Sequence, residues 1–119
     1  MKEWSKSPRK QRKYRYNAPL HVVKKLMSVR LTKELKTKFQ KRNFPVRKGD
    51  RVKIMVGQFK GKLGKVSSLD LKNKAVYLEE MHLVKRDGNK VPVAFDPSNL
   101  MLMELNLDDK LRKKALERK

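Results

Sequence analysis

Lys48-Gly49-Asp50-Arg51-Val52-Lys53-Ile54-Met55-Val56-Gly57-Gln58-Phe59-Lys60-Gly61-Lys62-Leu63-Gly64-Lys65-Val66 packs a strand, a glycine-punctuated basic loop and the start of a second strand into nineteen residues. Gly49-Asp50 is a turn signal. After it, Val52, Ile54 and Val56 alternate with Arg51, Lys53 and Met55, the period of a half-buried strand with one apolar face and one cationic face. Gly57, Gly61 and Gly64 supply backbone freedom or room for close approach, Lys60, Lys62 and Lys65 are interleaved among them, and Phe59 sits at the tip. A loop of this build can lie flat against a phosphate backbone. An ordinary hairpin, with glycines for bends and lysines for solubility, has the same local composition.

Downstream, the pattern predicts mostly strand. A second strand runs from Lys62 to about Leu71, with a bulge expected at Gly64 because Leu63, Val66 and Leu69 do not keep one alternating phase. Asp70 to Lys74 makes a turn, Ala75 to Glu79 a third strand and His82 to Arg86 a fourth. Asp87-Gly88-Asn89 then turns into Lys90-Val91-Pro92-Val93, which Pro92 confines to an edge. Asp96-Pro97-Ser98-Asn99 turns again before a strand over Leu100 to Leu105, and Asp108-Asp109 caps a short C-terminal helix with basic last turns. Five or six short strands at close spacing predict a mainly-β fold, a small barrel that closes its own edges. A unit of that size buries only about 60% of its unfolded surface, so modest stability is expected without a partner.

Upstream, residues 1–16 show no hydrophobic period and read as a segment disordered until it binds. Asn17 serves as N-cap with Pro19 in the first turn of a short helix through Leu20, Val23, Leu26 and Met27. Thr32 caps a second helix with Glu34 near its positive end. Pro45 ends the helical part. The organisation expected is a basic extension with short helices over residues 1–44, the barrel over 45–105 and a short basic helix over 106–119.

Thirty-three Lys and Arg against twelve Asp and Glu leave a net charge of +21, a density that repels itself unless a polyanion accompanies it. Residues 1–48 hold seventeen of the cations and two of the acids, so the N-terminal part carries most of the field. Nucleic acid is the partner this implies. No apolar run reaches the length of a transmembrane span, and no helical stretch pairs a basic face with a broad apolar one, so membrane binding is the weaker reading. The absence of cysteine removes disulfides, thiol catalysis and Cys-based zinc sites. The first sixteen residues lack the apolar core of a secretory signal, which leaves a cytoplasmic location as the expectation.

The chain lacks the constellation an enzyme needs. Ser67 and Ser68 have no partnered His and acid, His21 and His82 are too few for a metal cage, and Gly57 to Gly64 is neither a Walker loop nor a dinucleotide fingerprint. The paired acids Glu79-Glu80 and Asp108-Asp109 read as solvated and capping residues. No cofactor, metal or small-molecule substrate is expected. In the arm, Arg9, Lys10, Arg12, Lys13 and Arg15 are placed to neutralise phosphates, and Tyr14 and Tyr16 to stack on bases or sugars of folded RNA. A solubilising tail is the alternative there. His21 reads either as a phosphate or base contact or as a packing residue. Asn17, Lys24, Lys25, Lys48, Arg51, Lys53 and Lys65 extend the candidate RNA-binding set. The hairpin carrying Lys85 and Arg86 has the same basic-loop character, or that of any soluble barrel.

The Gly49-Asp50 entry, Val52, Ile54 and Val56, then Gly57, Lys60-Gly61 and Gly64-Lys65-Val66, resemble the KOW motif. Tyr16-Asn17-Ala18-Pro19-Leu20-His21, Pro97-Ser98-Asn99 and Asp108-Asp109-Lys110-Leu111-Arg112-Lys113-Lys114 extend the resemblance over nearly the whole chain. Together they are similar to the archaeal and eukaryotic branch of the KOW-bearing large-subunit ribosomal protein family, numbered twenty-four in bacteria and twenty-six in eukaryotes. The resemblance implies an SH3-like barrel and contact of Gln58, Phe59, Lys60, Gly61 and Lys62, with the N-terminal extension, to large-subunit ribosomal RNA. It further implies neighbouring large-subunit proteins as partners, early binding in subunit assembly and a position near the peptide exit tunnel. Two other classes share parts of the pattern: the KOW module of a transcription elongation factor, which normally follows a distinct α+β domain, and a small basic protein that coats duplex DNA.

Overall fold

The computed structural model describes residues 5–118; residues 1–4, Glu3 and Trp4 of the arm among them, and Lys119 lie outside the described part. Seven strands, β1 (Ser28–Leu31), β2 (Asn43–Pro45), β3 (Arg51–Ile54), β4 (Leu63–Asp70), β5 (Ala75–Val84), β6 (Lys90–Phe95) and β7 (Leu100–Glu104), form one sheet in the order β2-β1-β7-β3-β4-β5-β6. Around it stand α1 (Pro8–Tyr16), α2 (Leu20–Leu26), α3 (Lys33–Phe39) and α4 (Lys110–Glu117). The fold is mainly β and barrel-like, with helices before the strands and one after them. Pairing is antiparallel except between β1 and β7, which run parallel. The terminal strands β2 and β6 contain Pro45 and Pro92, which blunt both edges.

The core is larger than the pattern from Lys48 onward implies. Val29 and Leu31 of β1 are 0% and 1% exposed, and Val23 and Met27 join them against Val52, Ile54, Val66, Val76, Leu100 and Leu102. Neither β1 nor β2 was expected. Four and three residues between helical patterns show too little alternation to register, and their pairing partners lie far along the chain, as in Arg30 opposite Met101.

Several local expectations are corrected. The arm is not irregular: α1 begins with Pro8 in its first turn, where a fixed φ favours a helix, and ends as the Asn17 N–H donates to the Lys13 carbonyl at 3.0 Å. No α1 residue is buried, so there was no hydrophobic period to read. Asn17 thus closes α1 instead of opening α2, whose N-cap is Pro19. Val56 is 60% exposed because β3 stops at Ile54, where the chain turns into the loop. The β4 irregularity falls between Val66 and Ser68, not at Gly64, which stays in register opposite Val52. A side chain at Gly64 would lie 3.1 Å from Leu78 Cδ1, so close approach is what this glycine serves.

The two strands expected over 75–79 and 82–86 are one, β5, with a bulge. Val76 and Leu78 point inward, Glu79 and Glu80 face solvent, and Glu80 adopts φ 65°; this resets the phase so that Met81 is buried instead of residue 80. Beyond the bulge β5 pairs only with β6, and all of residues 82–90 are exposed. The radius of gyration, 15.7 Å, exceeds the roughly 13.5 Å of a compact chain of this length, as expected with this projecting hairpin.

Thr32 caps α3 as expected, its hydroxyl accepting from the Leu35 N–H at 3.4 Å. Asp109 caps α4 by accepting from the Leu111 N–H at 2.9 Å. What holds α4 down was not anticipated. Arg112 and Leu116 turn inward, and Arg112 makes a two-pronged pair with Asp50, Nη1 to Oδ1 at 2.6 Å and Nη2 to Oδ2 at 2.5 Å. Asp50 is 0% exposed and also accepts from the Arg47 and Asn106 backbone N–H groups, both at 2.9 Å. Arg112 donates further to the Asn106 and Pro45 carbonyls and covers the Phe44 ring at 5.5 Å. The Gly49-Asp50 turn is therefore a staple joining β2, the entry to β3 and α4. Gly49 takes φ 93°, and a side chain there would meet Asn106 Nδ2 at 2.9 Å.

Candidate nucleic-acid interface

The basic loop between β3 and β4 is built from short backbone bonds. The Gly61 N–H donates to the Ile54 carbonyl at 2.8 Å, the Lys60 N–H to Gly57 at 3.1 Å and the Lys62 N–H to Phe59 at 3.1 Å. Gly57 and Gly61 both have positive φ, 99° and 87°, and space beside each is open, so a partner's backbone can approach there without meeting a side chain. Gln58, Lys60 and Lys62 are exposed. Phe59 is not a free stacking platform: its half-buried ring packs edge-on to Phe95, centroids 5.9 Å apart, with Lys62 Nζ 5.2 Å from the ring centre. The aromatic anchors the loop and holds Lys62 over it.

Phe95 leads into the turn Asp96–Asn99, where several elements converge. The Met55 N–H, at the start of the basic loop, donates to the Asn99 carbonyl at 2.9 Å. Asp96 accepts from the Ser98 hydroxyl at 2.7 Å and its N–H at 2.9 Å; these bonds hold its carboxyl below the usual range, and the nearby charge of Arg15 adds to the effect. Arg15, near the end of α1, is thus within electrostatic reach of the turn that also anchors the basic loop.

On α1, Arg9, Arg12, Lys13 and Tyr16 share one face at helical spacing, and Lys10 and Tyr14 share another. All of Arg9, Lys10, Arg12, Lys13, Arg15 and Tyr16 are exposed, Tyr16 to 87%. On α2, His21, Lys24 and Lys25 occupy the exposed face opposite buried Val23, which reads His21 as a surface residue and not a core one. Lys48 is exposed in the turn before β3, and Lys85 and Arg86 stand at the tip of the projecting β5–β6 hairpin, where Gly88 at φ 89° closes the turn. His82 is exposed on β5 opposite Pro92.

The remaining candidates sit in a different setting. Arg51, Lys53 and Lys65 project from the outer face of β3 and β4. Arg51 lies across from Glu104, 3.5 Å away, and Arg51 and Lys65 line a shallow depression with Glu79, Glu80 and Glu104. Three acids there outnumber the two cations, so the positive charge of Arg51 and Lys65 is locally cancelled. Conversely, exposed Arg30 on β1 and exposed Lys33 and Lys38 on α3 add positive charge that the candidate set omitted. Their one signal was membership of the cation-rich first 48 residues.

Residues 5–119 match the family model that describes ribosomal protein L26 of eukaryotes and its archaeal counterpart, numbered twenty-four. The large ribosomal subunit protein uL24 of Methanosphaera stadtmanae is 51% identical over 115 residues, covering 97% of this chain and 98% of the relative. The protein of that name from Korarchaeum cryptofilum is 46% identical over 115 residues, covering 97% of this chain and 88% of the relative. With nearly the whole chain matched and half its residues shared at full length, the protein belongs to this ribosomal protein family of archaea and eukaryotes.

Proposed function

We propose that this protein is a non-catalytic structural constituent of the large ribosomal subunit that binds large-subunit ribosomal RNA and supports early assembly of the subunit, near the peptide exit tunnel of cytoplasmic ribosomes. The relatives carry the name of large-subunit proteins, and a net charge of +21 suits a component surrounded by phosphate. The observation that carries the RNA reading is the basic loop itself, where exposed Lys60 and Lys62 flank the open space beside Gly57 and Gly61, with the five exposed cations of α1 as a second cationic element. In this reading Arg9, Lys10, Arg12, Lys13 and Arg15 contact phosphates from the helix, Tyr16 stacks, and Lys60 and Lys62 contact a backbone that passes close over Gly57 and Gly61. Lys25 extends the track onto α2, and Lys85 and Arg86 reach a separate site.

Filter binding to large-subunit rRNA across salt concentrations tests this. Each phosphate neutralised contributes about 0.7–0.9 to the slope of log affinity against log salt. Removing residues 1–16 lowers the slope by about 3.5–4.5 if all five α1 cations are engaged, and Lys60→Ala with Lys62→Ala lowers it by about 1.4–1.8 with the far-UV circular dichroism unchanged. An unchanged slope in both variants, or equal competition by duplex DNA, would refute the proposal.

A further inference from the structure

Three leucines from three separate elements stand in water around one groove on the α2–α4 side of the molecule. Leu20 opens α2 and is 72% exposed, Leu111 lies in the first turn of α4 and is 73% exposed, and Leu71, just past β4, is 39% exposed. The groove between them encloses about 700 Å³, with Met27, Val46 and Ala115 among the side chains lining it. Exposed apolar side chains converging from unconnected elements are the mark of an interaction surface, whereas single exposed leucines are not.

The rim is cationic. Arg47 and Asp109 cancel each other in an ion pair at 2.7 Å. Lys24 lines the groove and Lys114 stands one turn from Leu111 on α4, and neither has an ion-pair partner among the described residues. Of the aromatic rings in the lining, Phe44 is 9% exposed and covered by the Arg112 guanidinium, which leaves the His21 imidazole on α2 as the one ring a base could meet. The exposed leucines therefore dominate what the groove offers. A second copy of this chain would set a like-charged rim and a +21 charge against its own.

We propose that this groove seats an apolar segment of another large-subunit protein, a segment bearing leucine-sized side chains flanked by Asp or Glu. The proposal rests on the reading of the chain as a large-subunit constituent. It adds a protein-docking face distinct from the basic loop and α1. Apolar side chains of the partner enter between Leu20, Leu71 and Leu111, and its acids meet Lys24 and Lys114.

The test uses the full chain with a photo-crosslinking benzoylphenylalanine at Leu111, and separately at Leu20, both exposed enough to accept it. Each labelled protein is assembled with total large-subunit proteins and large-subunit rRNA, irradiated, and the crosslinked product sequenced by mass spectrometry. The expected result is one ribosomal protein segment with at least two large apolar side chains and an acid within about one helical turn of them. Leu20→Ser with Leu111→Ser should then cut recovery of that protein on the assembled particle about tenfold to a hundredfold, and Lys114→Glu should reduce it as well. Free-protein affinity for rRNA should stay unchanged in the leucine variant, which separates this proposal from the RNA reading above. Crosslinks to rRNA, to a second copy or to a segment without acids, or no crosslink from either position, would overturn it.

Discussion

Replacing Asp50 by Ala attacks the point on which β2, the β3 entry and α4 all depend. The carboxylate is fully buried and accepts four hydrogen bonds, two from Arg112 and one each from the Arg47 and Asn106 amides. Without it the Arg112 guanidinium, 8% exposed, keeps only the Asn106 and Pro45 carbonyls. Breaking one side of a buried ion pair costs about 3–5 kcal/mol, because the remaining charge stays desolvated. Against the roughly 5–15 kcal/mol that holds a small domain together, this is a large fraction. At a urea m-value of about 2 kcal/mol/M the midpoint should fall by about 2 M, read by far-UV circular dichroism at fixed salt. Asp50→Leu combined with Arg112→Met removes both charges and should recover to within about 1–2 kcal/mol of the natural protein, the residue reflecting the two amides left without an acceptor. If Asp50→Ala costs less than about 1 kcal/mol, or the double variant is no better than the single, the staple does not hold the fold as described.

Gly49→Ala should lower stability by about 1–3 kcal/mol through its positive φ, and more than Gly88→Ala, which has a similar φ of 89° but open space beside it. Equal losses in thermal melts would mean that the Asn106 contact is unimportant. Gly64→Ala should cost about 1–3 kcal/mol by forcing a methyl against Leu78, and Leu78→Ala in the same chain should add less than its separate cost; strict additivity would count against the contact. Asp70, held by the Asn73 amide, Asp96, held by Ser98, and Asp109, held by the Leu111 amide, all have carboxyls lowered from 3.8. Groups lowered in the folded state contribute stability that is complete above the ordinary value and lost as pH falls through the folded ones, so the melting temperature should drop only below about pH 4. Asp96→Asn should shrink that drop, and a melting temperature independent of pH over this acid range would exclude the effect.

The KOW stretch was readable because its signals are local. Alternation at Val52 and Ile54, turn residues at Asp87-Gly88-Asn89 and Asp96 to Asn99, and caps at Thr32 and Asp109 act within a few residues, and each stands where the spacing places it. Where two local patterns competed, reading failed in a physical way. The break at Glu79-Glu80 looked like the end of a strand because a bulge and a turn both interrupt alternation, and Asn17 looked like a helix start because Asn caps either end. The exposed cations of the candidate interface were legible from composition. Which of them stand together was not, since Lys65 and Lys62 look equivalent in sequence while one lies among glutamates and the other over Phe59.

Charge, the strand-rich centre and the glycine-opened loop thus follow from residue type and short spacing alone. Membership of Val29 and Leu31 in the core, the packing of Phe59 on Phe95, and the meeting of Asp50 with Arg112 sixty-two positions away required the folded chain. Asp50 looked like a turn residue and Arg112 like one more cation on a basic helix. Burial turned them into a pair, because two opposite charges removed from water must satisfy each other, and that condition is set by where the backbone brings them and not by their neighbours in sequence.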